Sequence, residues 1–422
     1  MPDATLRDVY VIGAYTSAFG KYPGRSFKDL TREAYLGVLE DSGLEDGSAI
    51  EFGWFGNCGM WNADQACIRG QVCFTPLVRE GLFPERVPIV NVEGACATAS
   101  MAFHGAVKDI MSGMVQCSLA IGVEKTFFAG DWERIQAGFQ AGIDNLDPEE
   151  WQDHYREVGE AIGRPFAPGG DRTIFMDTYA MQAAWHMQTY GTTQAQIAAA
   201  AAKSHNNGAN NPKAQYRFEM TAEQVLGDRP VSPPLTRSMC APIGDGAAAA
   251  ILCSGDFLAN LPKEAQARAV KVRASVLTGG KYRALDEPSL SHVAARKAYD
   301  FAGLSPADMS LAEVHDATSF CEVYQSEMLG FCDFGDGGKL AADGETALDG
   351  RIPINTSGGL VSKGHPVGAT GLSMIEEMVR QLRGEAGDRQ VKDPTFAIQE
   401  NGGGVMGVEE AACSVVILER TH

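Results

Sequence analysis

Cys96 follows a short apolar run that ends at Asn91 and a tight Glu93-Gly94-Ala95 turn, and small residues open a helix at the cysteine itself. A thiol at a helix N-terminus faces the positive end of the macrodipole and free N–H groups, both of which favour thiolate. An ordinary cysteine, with a pKa of about 8.5, is mostly protonated at neutral pH, and each unit of lowering corresponds to about 1.4 kcal/mol. The backbone N–H of Cys96 also points where the oxyanion of a tetrahedral intermediate would form. A small core residue at a strand–helix junction gives the same pattern, so a chemical role requires partners elsewhere in the chain.

Two histidines could supply them. His315 lies in Glu313-Val314-His315-Asp316, after a strand predicted over 309–314, and His365 lies between Gly364 and Pro366 in the glycine-rich segment GGLVSKGHPVGATG that runs into a helix. A histidine fixed between glycine and proline on a loop has the placement that a general base requires. A satisfied structural histidine is the alternative at each position. The chain holds eight histidines, and two at strand–loop junctions make Cys–His–His a reasonable nucleophilic constellation. A fourth segment, Gln399-Glu400-Asn401-Gly402-Gly403-Gly404, brings successive glycines that let the backbone approach a ligand and present unblocked N–H groups. A phosphate cradle would need Lys-Ser/Thr after the glycines, and none follows; a plain hairpin turn is the other account. The cysteines and histidines show no zinc-ligand spacing, so no metal is expected.

These side chains need strands and helices to hold them. Residues 8–13 read as a buried strand and 26–44 as a helix with Ser26 at its N-cap and Gly43 after its last turn. The same unit recurs near 290–304, where Leu290, Ala294, Tyr299, Gly303 and Leu304 face Leu30, Ala34, Leu39, Gly43 and Leu44. The apolar strand at 247–253 echoes that at 411–418, and Pro88-Ile89-Val90-Asn91 echoes Pro353-Ile354-Asn355. Three echoes in one order indicate a duplicated α/β unit. We place the halves at 1–270 and 271–422, the first interrupted by an insertion at 125–190 without strand alternation. Such segments serve as lids and binding loops or as contacts between subunits.

Composition narrows the partners. With 422 residues, 45% of them hydrophobic and 21% charged, the chain is long enough for two or three folded domains. Its net charge of −19 opposes binding to nucleic acid. The ten cysteines are scattered, mostly in apolar segments, and read as reduced thiols of a cytoplasmic protein. The first residues show no cationic leader. No apolar stretch approaches the roughly 18–20 residues that a membrane span needs.

In order and spacing, NVEGACATAS, HDATSF, GGLVSKGHPVGATG and ENGGGVMG resemble the thiolase superfamily, and PLTRSMCAPIGDGAAAAIL with Asp171-Arg172-Thr173 resembles its sterol-carrier-protein type. The resemblance runs essentially end to end. It implies a duplicated five-layer α/β/α/β/α fold with an inserted loop domain, and a homodimer or dimer of dimers. It also implies coenzyme A thioesters as substrates, with coenzyme A a substrate or product and no permanently bound cofactor. By motif, Cys96 matches the acyl-accepting nucleophile and His365 its base. His315 matches the oxyanion-hole segment, and Gly403 or Gly404 would supply an N–H beside that of Cys96. The function implied is 3-oxoacyl-CoA thiolysis of the kind used in β-oxidation.

The pattern departs from the family where many members carry a second cysteine. Those places here hold Glu400 or Asn401, and Ala317 after His315-Asp316. Acyl transfer through Cys96 needs a nucleophile, a base and an oxyanion hole, whereas moving the proton on the acceptor's α-carbon needs another group. Glu400 is the candidate, because burial raises a carboxyl towards neutral pH; Cys321 and Glu322 are further ones that the helical phase after His315 turns away. Phe127, Phe128 and Trp132, with Phe139, Trp151 and Phe166 of the insertion, are expected to form part of the acyl pocket or to pack among themselves. Two other functions fit the resemblance: a retro-aldolase of side-chain degradation, and a subunit that works with a small zinc-ribbon/OB-fold partner.

Overall fold

The computed structural model describes residues 6–421. The first five residues, part of the stretch read as lacking a leader, lie outside the described residues. The first half contributes β1 (Val9–Thr16), β2 (Phe52–Gly56), β3 (Ile89–Val92), β4 (Cys117–Lys125), a small ribbon of β5 (Pro230–Ser232) and β6 (Leu235–Thr236), and β7 (Asp245–Ser254). The second half adds β8 (Val270–Gly279), β9 (Leu311–Val314), β10 (Phe396–Gly403) and β11 (Ala412–Arg420).

Their pairing repeats. β1 and β4 flank β7 antiparallel, and β2 and then β3 continue parallel beyond β4. β8 and β10 likewise flank β11 antiparallel, β9 continues parallel, and Ala312 bridges in parallel to Ile354 where β3 stands in the first half. The hydrogen-bonded order is β3-β2-β4-β7-β1-β8-β11-β10-β9. β1 and β8 share only the pairs Tyr10–Lys271 and Val11–Val270. β7 (DGAAAAILCS) is buried along its whole length, as befits a strand covered on both faces.

The helices that cover these sheets form for local reasons. Ser26 accepts the Asp29 N–H at 3.2 Å while its own N–H donates to Asp29 Oδ2 at 2.8 Å, a capping box that starts the helix Phe27–Ser42. Gly43, at φ 70°, ends it in the left-handed conformation. Leu30, Ala34, Tyr35 and Val38 bury one face of that helix against the first half's sheet. In the second half Leu290–Ala302 does the same through Leu290, Ala294 and Ala298, and closes on Gly303 at φ 67°. Between the sheets lie the helices Thr98–Met111 and Thr370–Arg383, one from each half, in one apolar core with residues of β1, β7, β10 and β11. Helix, sheet, paired helices, sheet and helix make the five layers.

The insertion differs from its sequence reading. Residues 125–190 lacked strand alternation because they are largely helical, as Trp132–Gln140, Pro148–Ala161 and Ile174–Tyr190. Pro148 at the first turn and Asp131 and Asp147 at the N-cap positions mark these starts. The helices pack on Gln194–Ala209 and Ser319–Met328 to form a separate apolar cluster beside the main core. Among the described residues no helix is long and apolar enough to cross a membrane.

Candidate active site

β3 ends at Val92, and a 3₁₀ turn over Ala95–Ala97 carries Cys96 into the helix Thr98–Met111. Ala95 holds φ 47°, a left-handed conformation that costs a non-glycine residue about 1–3 kcal/mol and recurs at functional sites. The turn delivers the Cys96 sulfur to His365, which the second half provides from the loop after Gly359–Lys363. Cys96 Sγ and His365 Nε2 are 3.0 Å apart.

The hydrogen bonds on the far side of the imidazole fix its tautomer. Thr370 donates its hydroxyl proton to the Pro366 carbonyl at 3.0 Å, so at the 2.7 Å contact with His365 Nδ1 it accepts. Nδ1 therefore carries the proton, and the Nε2 lone pair faces the thiol. Burial, and then neighbouring His315, hold His365 well below the usual imidazole value, so it is neutral at neutral pH. Burial lowers His315 to about 4.

The thiol departs from expectation. Burial and the nearby Glu410 charge push Cys96 up to about 12, against the opposing pull of the Cys96 and Gly404 N–H groups. Desolvation outweighs the helix terminus here, so the resting pair is neutral thiol and neutral imidazole rather than thiolate. Those same two N–H groups face Sγ. Gly403 has a steric role. A Cβ there would lie 2.2 Å from Ala97 N and 2.5 Å from Gly94 O, so only glycine lets β10 touch the nucleophile's turn.

His315 completes the cluster, its ring edge-on to that of His365 at 5.3 Å between centroids. It is buried, and among the described residues neither of its ring nitrogens has a hydrogen-bond partner. Ligating atoms of Cys96, His315 and His365 lie within 4.8 Å of one another, a donor set that a soft divalent cation could also use.

Adjacent residues of β10 point to opposite faces, which separates the two candidates there. Glu400 accepts from Ser291 Oγ at 2.8 Å and from the His315 N–H at 3.1 Å, and burial with the Glu410 charge raises it to about 8. Asn401 turns the other way, accepts from Ser100 Oγ at 2.8 Å, and does not join the thiol. Glu322 is committed to Lys203 at 2.7 Å, and Cys321 contacts Thr318 Oγ1 at 3.4 Å.

A cavity of about 1360 Å³ opens onto Cys96, His365 and Gly404. Phe128, Trp132 and Phe139 of the insertion line it, together with Phe175 and Tyr179. Phe127 does not line it and lies instead under the Lys21 ammonium at 4.7 Å, while Trp151 and Phe166 pack with Tyr155 in the insertion's own core. Sequence reasoning missed Glu124, at the end of β4. It is fully buried, raised to about 7 by burial, and accepts the N–H of Cys58 at 2.9 Å and of Gly59 at 3.2 Å. A lone carboxylate near the end of a mostly apolar strand, just before Lys125, was its signal.

Residues 9–136 match the family described as thiolase, N-terminal domain, and residues 286–420 that described as thiolase C-terminal domain-like. An acetyl-CoA acetyltransferase of Methanothermobacter thermautotrophicus is 36% identical over 95% of this chain and 98% of its own. Human sterol carrier protein 2 is 34% identical over 99% of this chain and 75% of its own. Among solved structures, the Ltp2-ChsH2(DUF35) aldolase superposes with a TM-score of 0.75 at 22% identity, covering 99% of both chains. The Acat5 thiolase of Ascaris suum in complex with coenzyme A superposes with a TM-score of 0.67 at 18% identity, over 98% of this chain and 100% of that one.

Proposed function

The chain belongs to the thiolase family and is an acyltransferase, and on that premise we propose that it cleaves 3-oxoacyl-CoA with free coenzyme A through an acyl group carried on Cys96. The 3.0 Å contact between the Cys96 thiol and the lone pair of His365 carries this reading. His365 takes the thiol proton as sulfur attacks the 3-oxo carbon, and the N–H groups of Cys96 and Gly404 hold the oxyanion. Collapse breaks the bond between C2 and C3, and a neutral His315 with unpaired ring nitrogens suits the thioester oxygen of the departing enolate. His365 still holds the Cys96 proton, so the group that protonated C2 takes the thiol proton of coenzyme A; the new thiolate lifts the acyl group off as a thioester, and Cys96 leaves and recovers its proton from His365. The degradative direction of β-oxidation fits this order. Ten free cysteines among the described residues fit a reducing cytoplasm.

An acidic chain still has to hold an anionic cofactor. Arg229 and Arg237, beside β5 and β6, line the cavity, are exposed, and form no ion pair among the described residues. They are the cations we assign to the coenzyme's phosphates. A charged hydrogen bond is worth about 1.5–3 kcal/mol, so Arg229→Ala or Arg237→Ala should raise the KM for coenzyme A by about ten- to a hundredfold. Cys96 should still take up an acyl group in both variants. Steady-state kinetics with coenzyme A varied checks this.

β3 ends the sheet with one edge unpaired among the described residues and with every residue half-buried. Such an edge fits pairing with a second copy of the chain. Light scattering should return twice the chain mass, or four times for a dimer of dimers. The aldolase likeness is one of fold; a thiol poised on a base favours acyl transfer over aldol cleavage. The test of the reading as a whole is thiolysis of short, long and aromatic 3-oxoacyl-CoAs, with the acyl adduct located by mass spectrometry. An enzyme that turned over substrate without ever acylating Cys96 would remove it.

A further inference from the structure

Cys96, His365 and the two N–H groups account for transfer of the acyl group, but they leave the α-carbon of the other thioester without an acid or base. Asn401 is turned to Ser100, and Ala317, which lines the cavity, has no proton to give. Both oxygens of Glu400 are engaged, one by Ser291 and Cys413 and the other by the His315 N–H. Glu410, which no sequence motif singled out, stands differently. It lies in the loop that joins β10 to β11, next to Ala411 and Ala412, which line the cavity.

Three observations bear on it. Gly402 is hollowed out for its side chain, since a Cβ there would lie 2.5 Å from Glu410 Cγ and 3.0 Å from Cδ. Glu410 is half-buried and has no side-chain hydrogen bond or ion pair among the described residues, and its own backbone N–H and the Arg283 charge support its carboxylate against burial. Its charge is also the one that bears most on the Cys96 thiol, and it acts on Tyr179 of the cavity wall and on Glu400 as well. A carboxyl next to the cavity wall at Ala411 and Ala412, seated in the space that Gly402 leaves and acting on the nucleophile through its charge, is placed to exchange a proton with a bound thioester.

We propose that Glu410 is the group that moves the α-carbon proton, in the role for which many family members keep a second cysteine. In cleavage, the pair of electrons from the C2–C3 bond passes to C2 of the departing thioester, and protonated Glu410 gives its proton to that carbon. In synthesis, the Glu410 carboxylate removes a C2 proton, the enolate attacks the acyl carbon on Cys96, and the sulfur leaves and recovers its proton from His365. No other reactant is needed in either direction.

The inference rests on the acyl-transfer reading, and its test keeps the two apart. Acetyl-, propionyl- and succinyl-CoA are incubated with the enzyme in D₂O, C2 deuteration is read by mass spectrometry, and acylation of Cys96 is read separately on the intact protein. Glu410→Gln should slow deuteration of the thioester that the wild type handles best by about a hundredfold or more, with Cys96 acylated as before. Glu410→Asp, which keeps the carboxyl, should recover part of the loss and serves if the amide variant does not fold. Exchange in Glu410→Gln within about threefold of wild type, loss of the adduct together with exchange, or no exchange by the wild type on any of the three would overturn the assignment. A wild type that never acylates Cys96 would instead refute the acyl-transfer reading.

Discussion

Cys96→Ala should form no acyl adduct with any thioester and should lose at least about four orders of magnitude in kcat/KM for thiolysis, the scale seen when a covalent nucleophile is removed. The expectation follows from what Cys96 touches. Its sulfur is the only atom that His365 Nε2 addresses, and no other cysteine lies within hydrogen-bond reach of that imidazole among the described residues. Cys58 opens onto the same cavity, but its thiol is spent on Thr98 Oγ1 at 2.8 Å and the Ala95 carbonyl at 3.3 Å. Because the substitution removes a single sulfur atom and the turn is held by backbone contacts with Gly403, the alanine variant should unfold at nearly the wild-type temperature. Intact-protein mass spectrometry, thiolysis kinetics and a melting curve on one preparation separate chemical loss from structural loss. A variant that kept full thiolytic activity would exclude Cys96 as the acyl carrier.

The second large effect concerns the base and its dependence on pH. His365→Asn should lower the rate of Cys96 acylation by about a thousandfold, within the range that a positioned base contributes. In the wild type, the sign of the pH effect follows from the direction of the imidazole shifts. Burial holds His365 well below 6.5 and His315 at about 4, so both remain neutral bases on the acid side of neutrality. The acid limb of the acylation rate should therefore lie below pH 6, where an exposed histidine would already have lost activity. Thr370→Val keeps the volume but removes the acceptor that holds the Nδ1 proton. It should slow acylation by about ten- to a hundredfold, the cost of an unpaired buried N–H and a freed tautomer. Stopped-flow acylation between pH 4.5 and 8 reads both, and an acid limb near 6.5 would contradict the buried, neutral imidazole.

Much of the fold was legible because its signals are local. Ser26 with Asp29, Gly43 and Gly303 mark helix ends by mechanisms that act within four residues, and the buried strands at β7 and β11 read as unbroken apolar runs. The insertion was misjudged for the same reason. The helix Ile174–Tyr190 is apolar nearly all round, and its buried face is set by Phe320 and Tyr324 of a distant helix rather than by its own period.

Within the site, residue types pointed to Cys96, His315 and His365. The electrostatics did not follow from type, because a helix N-terminus argues for thiolate while the closed surroundings of the sulfur push it the other way. Glu410 and Thr370 had no local signature. One is defined by the space above Gly402 and the other by a single hydrogen bond to an imidazole nitrogen.

The thiol and its base come from opposite halves of a duplicated chain whose sheets touch through two residue pairs. The 3.0 Å between sulfur and nitrogen thus works as a caliper set across the molecule's midline. A slip of one half past the other by an ångström leaves every strand and helix intact and opens the caliper. Heat, pressure or a substitution in the paired central helices should therefore silence the enzyme before spectroscopy detects any loss of structure.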